Sequence, residues 1–358
     1  MAQFAMGRLF RLQGTSRQSV TFSQNRSFAS KPVIPTFTPT ASTELNQALE
    51  HWRQDLFIPF GLPKRQRTSM FKEKHARRLE EEPITVKISE TEEYTLRPLS
   101  PSSMPKSKEA INVFRLMEAA NDYKNLVPFM TGLWSAQMAI SPARWQYLIR
   151  KTGSAGKLSL ILECARRENQ TGLSLQNNYH AERLFFELHC MAHKADYKGD
   201  QVKKALKMAM AAVDIMDSYA PSPATNPKYQ PYVIATLLEL SAARALDEAA
   251  GKDQNNEVLN YARKLIASWP LGEFKAIPKD EFDVELVNQR LMGSIAACKG
   301  LQLSLSIHGL AVDKALHSAV TARLAEVKKA ITAQLKAIPE ESSSKVHSVE
   351  FAQAVLQK

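Results

Sequence analysis

The chain has 358 residues, of which 44% are hydrophobic and 23% charged, and a net charge of +11, a balance that excludes a disordered polyelectrolyte and can bury a large core. No stretch reaches the roughly 18 uninterrupted apolar residues of a membrane helix, because Glu239, Gln302, Ser304 and Ser306 break the two most apolar runs. The three cysteines, Cys164, Cys190 and Cys298, lie far apart without a CxxC pair, which suits reduced, buried thiols better than a disulfide or zinc framework.

The first 43 residues hold no Asp or Glu, while Arg8, Arg11, Arg17, Arg26 and Lys31 sit among Ser, Thr, Gln and apolar residues. That composition is the one of a mitochondrial presequence, a cationic amphipathic segment drawn in by receptors and membrane potential. Phe4, Leu9, Phe10 and Leu12 alternate with Arg8 and Arg11 at helical spacing, and Arg26 stands three residues before an expected cut after Phe28. A secretory signal would need a continuous apolar core and a small-x-small exit, and neither is present. The expected destination is the mitochondrial matrix. Four arginines leave with residues 1–28, so the remaining chain carries +7.

Most of that charge is in one place. From Lys64 to Arg78 the chain reads KRQRTSMFKEKHARR, with Lys64, Arg65, Arg67, Lys72, Lys74, Arg77 and Arg78 against the single acid Glu73. The segment carries +6 and the rest of the mature chain +1. Phosphate contact depends on local basic density, so these seven side chains are the expected RNA-binding residues. A solvated helix face and an acidic protein partner are the other readings of the run. Met70 and Phe71 lie inside it, and the preceding Phe57 to Pro63 reads as an extended arm entering a short basic helix.

Around this segment, the Pro- and Thr-rich residues 31–43 read as an extended leader, and Thr43 can cap a helix that places Leu45, Leu49, Trp52 and Leu56 on one stripe. Ile84, Val86 and Ile88 alternate with polar residues, as do Tyr94 and Leu96, which predicts two strands joined by residues 89–93. Such a hairpin is marginal alone and must lean on a helix of this chain or on a partner. Residues 98–108, with three prolines and four serines, are the best linker. The expected organisation is a presequence over 1–28, an extended basic arm with a small β-hairpin over 29–108, and a helical-repeat domain over 109–358.

Beyond the linker the periodicity predicts helices near 109–121, 124–136, 142–152, 156–169, 178–195, 200–218, 229–249, 255–268, 283–308, 312–337 and 346–356. Ala181, Leu184, Phe185, Leu188, Met191 and Ala192 form one wide apolar face, and Leu316, Val320, Leu324, Val327, Ile331 and Leu335 another. Both are read as core. The stretches 129–157 and 164–194 align at an offset of about 35 residues, the spacing of helix-pair solenoids. The first copy, from Met138 to Lys157, resembles a pentatricopeptide unit in loop position, apolar face and Gly-ended turn. The spacing is lost after Ala220, so no base-reading code carries over. The fold class is mostly α, a helical-repeat, α-solenoid-like body behind a basic arm and hairpin.

Little in the chain argues for catalysis. Gly153-Ser154-Ala155-Gly156-Lys157 lacks the spacing, the Ser or Thr and the preceding strand of a phosphate loop, and reads as a turn between helices. His189 and His193 have zinc-ligand spacing, but Cys190 replaces the metalloprotease Glu and no third ligand follows. Glu80, Glu81 and Glu82 are read as solvated or paired with Arg77 and Arg78. The chain is not expected to be an enzyme and calls for no cofactor, metal or small-molecule substrate.

His51-Trp52-Arg53 through Leu56-Phe57, Leu62-Pro63-Lys64-Arg65-Gln66-Arg67 and Glu82-Pro83-Ile84-Thr85-Val86 resemble the N-terminal part of fungal mitochondrial ribosomal proteins with helical-repeat bodies. Gly153 to Arg167 is similar to the same group, and the resemblance spans residues 44–250. It implies a structural component of the mitochondrial ribosome, of the large subunit, docked on mitochondrial rRNA and neighbouring ribosomal proteins through its arm. The alternatives are a pentatricopeptide-like factor for mitochondrial RNA processing or translation, and an RNA-free assembly scaffold for a respiratory complex.

Overall fold

The first helix opens at Ser42, whose hydroxyl accepts the Leu45 backbone N–H at 3.2 Å, one residue before the expected cap at Thr43. The structure, a computed structural model, describes residues 34–357 apart from 223 and 273, and the expected presequence with its cut after Phe28 lies outside them. Helix α1 (Thr43–Trp52) buries Leu45, Leu49 and Trp52, and the chain runs through a π-turn at Arg53–Phe57 into α2 (Ile58–Gly61). The stretch from Phe57 that reads as extended is therefore helical as far as Gly61. Pro59 does not prevent this, because it falls in the first turn of α2, where a missing N–H breaks no helical bond.

Then come α3 (Lys64–Phe71), a 3₁₀ turn at Glu73–His75 and α4 (Ala76–Glu81). Strands β1 (Thr85–Lys87) and β2 (Glu93–Thr95) follow, antiparallel, with Thr85 opposite Thr95, Val86 opposite Tyr94 and Lys87 opposite Glu93. The hairpin leans on its own chain: Tyr94, Leu96 and Leu99 share a small core with Ile58, Leu62, Met70 and Leu79.

The body continues with α5 (Ala110–Ala119), α6 (Leu126–Ser135), α7 (Pro142–Ser154), α8 (Leu158–Arg166), α9 (Glu168–Thr171), α10 (Asn178–Lys194) and α11 (Asp200–Met216). It ends with α12 (Pro231–Ala249), α13 (Glu257–Ser268), α14 (Val284–Ser304), α15 (His308–Val312), α16 (Lys314–Ala337), α17 (Glu340–Ser343) and α18 (Val349–Gln357). Every predicted helix is present. The 156–169 prediction is interrupted at Arg167, and the 283–308 prediction ends early at Ser304.

Two apolar clusters hold these helices. The larger is built from α1, α5 to α8 and α10 to α12, with Phe129 ringed by Trp52, Phe57 and Phe114 at 5.2, 5.6 and 5.7 Å. The second is built from α10, α12 to α16 and α18. Helices α10 and α12 belong to both. Because α7, α11, α12 and α14 all pack on α10, residues His180 to Cys190 are buried around its whole circumference rather than on one face.

Candidate nucleic-acid interface

The basic segment is shaped by two anchors. Met70 on α3 and Leu79 on α4 are buried against the hairpin, and the Leu99 backbone N–H donates to the Met70 carbonyl at 2.8 Å. With the apolar positions turned inward, helical geometry turns the cations outward. Lys64, Arg65, Lys72, Lys74, Arg77 and Arg78 are exposed, and Arg67 is half-buried with its guanidinium 5.1 Å from the centre of the Phe60 ring. Five of the seven sequence-predicted residues thus lie on the two short helices that cover the hairpin, and Lys72 and Lys74 lie on the turn that joins them.

They are not equivalent. Arg77 pairs with Glu81 at 2.7 Å and Arg78 with Glu82 at 3.7 Å, both one turn apart and both exposed. Exposed pairs of this kind contribute little net stability and give way readily to a phosphate. Among the described residues no carboxylate lies within ion-pair distance of Lys64, Arg65, Lys72 or Lys74. The charge of these four is left uncompensated by the described residues.

Two positioning residues escaped sequence reading. Arg53, buried, donates from Nε to the Pro35 carbonyl at 3.0 Å and pairs with Glu92 in the hairpin turn at 2.5 Å. It ties the segment before α1, the turn after it and the hairpin together. Its signal was the position one turn after Leu49, on the buried stripe. Asp55 receives both Arg97 and His51, the latter at 2.9 Å, and holds the hairpin's exit to the same turn.

The other motifs resolve into structure. Gly153 lies in the last turn of α7 and Gly156, with φ +69°, turns the chain into α8. His189 Nδ1 lies 2.7 Å from Glu239 on α12, the pair is fully buried, and the His189 ring stacks on His193 at 6.0 Å. Among the described residues no three His, Cys, Asp or Glu side chains gather as metal ligands. The cysteine thiols are buried, and burial pushes those of Cys164 and Cys298 up to about 12. Among the described residues no helix is long and apolar enough to cross a membrane.

Residues 21–355 match the family model described as mitochondrial ribosomal protein mS27. The chain is also 27% identical over 264 residues to the small ribosomal subunit protein mS27 of Neurospora crassa, an alignment covering 68% of this chain and 66%, just under two thirds, of that relative. That relative's name is a small-subunit one, which overturns the large-subunit placement implied by the sequence resemblance.

Proposed function

The chain belongs to the mitochondrial ribosomal protein mS27 family, and from that premise we propose that it is a component of the small mitochondrial ribosomal subunit whose α3–α4 face docks on rRNA. Members of this family are structural proteins of the mitochondrial ribosome, not enzymes. Mitochondrial location follows from that membership, and the acid-free leader supports delivery to the matrix. The neighbouring partners are rRNA and other ribosomal proteins. The membership favours this reading over transcript processing and over a respiratory-complex scaffold.

The observation that carries the docking face is the separation of roles along the 16 residues from Lys64 to Leu79. Met70 and Leu79 fix two helices on the hairpin, while Lys64, Arg65, Lys72 and Lys74 stand exposed without carboxylate partners among the described residues. Rigid cations on an otherwise nearly neutral chain give a localised contact rather than diffuse binding. Gradient sedimentation of mitochondrial lysate at low salt tests the assignment. The protein is expected with the small subunit, and at the top of the gradient after ribonuclease or high salt. Changing Lys64, Arg65, Lys72 and Lys74 together to Glu should release it while leaving its thermal unfolding unchanged. A variant that still sediments with the subunit would refute the docking face, and wild type at the top of every gradient would refute the ribosomal reading.

A further inference from the structure

A groove of about 360 Å³ opens on the helical body between α7, the start of α10, the start of α14 and residues 345–347. That is within the roughly 300–1,000 Å³ of small-ligand sites. Its chemistry is mixed in a particular way. Tyr147 and Tyr179 supply aromatic faces, Arg150 and Lys345 supply positive charge, and Gln146 and Gln289 supply amides. Tyr179 is one of the few large apolar side chains left exposed, at 47%.

Arg150 is the cation best placed for a ligand. Its guanidinium lies 5.9 Å from the centre of the Tyr147 ring, and its Nη1 is 3.1 Å from Nε2 of His347. Burial, then the charges of Arg150, Arg183 and Lys151, hold His347 below the usual histidine range, so it accepts from Arg150 as a neutral ring at pH 7. Among the described residues no carboxylate lies within ion-pair distance of Arg150, whereas its neighbours Lys151 and Arg183 are taken up by Glu118 and Glu187. Behind it the charge of buried Arg183 is balanced by Glu187, so among the described residues Arg150 is the unpaired cation on that wall of the groove. On the α14 wall stand two acids, Asp283, which caps the helix through the Leu286 N–H at 2.8 Å, and Glu285, and Glu182 is a third on the α10 wall.

We propose that this groove holds one unpaired nucleotide of a single-stranded RNA segment, with Tyr179 stacking on the base, Arg150 and Lys345 facing its phosphate, and the glutamine amides facing the base edge. Duplex RNA presents no splayed base to such a site, and an acidic peptide has no use for the tyrosines and would meet Asp283 and Glu285 unfavourably. A base offers ring and exocyclic N–H groups to those same carboxylates. The inference rests on the RNA-contact reading above and adds a second, chemically distinct contact to it.

The test is RNA binding by the full chain, measured by fluorescence anisotropy with a short single-stranded oligoribonucleotide and with the same sequence as a duplex. Tyr179→Ala is expected to weaken single-strand binding about tenfold and leave duplex binding unchanged, with Tyr179→Phe close to wild type. Arg150→Ala should follow Tyr179→Ala. The fourfold Glu variant of the α3–α4 face should instead weaken both. If Tyr179→Ala and Arg150→Ala bind single strands like wild type while the fourfold variant does not, the groove is refuted and the docking face stands. Wild type that binds neither RNA refutes both.

Discussion

A methyl group placed on Gly153 would overlap the Glu187 carboxylate, which is buried and paired with Arg183. The sequence presents Gly153 as the first residue of a Gly-x-x-Gly turn, and the turn is there. Its second duty, leaving room for a carboxylate from the helix one repeat later, depends on a long-range approach of α10 that local spacing does not encode. Burial holds the Glu187 carboxyl above the usual carboxylate range, and the Arg183 guanidinium opposes that shift. Displacing it from Arg183 is therefore unfavourable. Gly153→Ala should cost about 3 kcal/mol for the disturbed buried pair, offset by about 1 kcal/mol of helix preference. A net loss of roughly 2 kcal/mol in denaturant unfolding is expected, and a neutral or stabilising result would mean that the pair relaxes without loss.

Whole helices were legible because their apolar residues recur at helical spacing and their ends carry Pro, Gly and Asp. The stripe Leu316, Val320, Val327 and Ile331 on α16 is buried as expected, with Leu324 and Leu335 packed beside it. What the spacing missed is all-round burial: Glu182, Arg183, Glu187 and His189 lie outside the apolar face of α10 and are still enclosed by four neighbouring helices. The basic segment was legible in charge and helicity, but not in what fixes it. That support is the small hairpin core, which makes a separable element. Met70→Ala should cost about 2 kcal/mol, the low end for a core methionine, because the cluster under α3 is small. Hydrogen exchange should report the loss locally, with amides of residues 64–99 exchanging faster and those of α10, α12 and α14 unchanged. Faster exchange throughout the chain would mean that the hairpin element is not separable.

At the scale of the molecule, the prolines between α11 and α12 leave open whether the body is one array or two, and the packing joins its two sides through α12. Val233, Leu237, Leu240 and Ala243 of α12 complete the larger cluster, while Ile234, Ala235, Leu238 and Ala242 on the same helix belong to the second. Glu239 between them is the partner of His189 on α10. A chain ending at Asn226 therefore uncovers His189 and the side of α10 that packs on α12 and α14, and opens the larger cluster along the length of α12, a loss comparable with the roughly 5–15 kcal/mol that holds a typical domain together. Such a fragment, though it keeps the basic face and its hairpin, is expected to lack a cooperative thermal transition and to be digested quickly by protease, whereas the full chain melts cooperatively. A fragment that unfolds in a single sharp transition would show that α12 closes the second cluster only. The expected outcome ties the docking face to the far end of the chain: α3 and α4 rest on α2 and the hairpin, α2 continues α1 through the π-turn, α1 rests on α5 and α6 in the larger cluster, and that cluster is closed by a helix whose other side belongs to the C-terminal core.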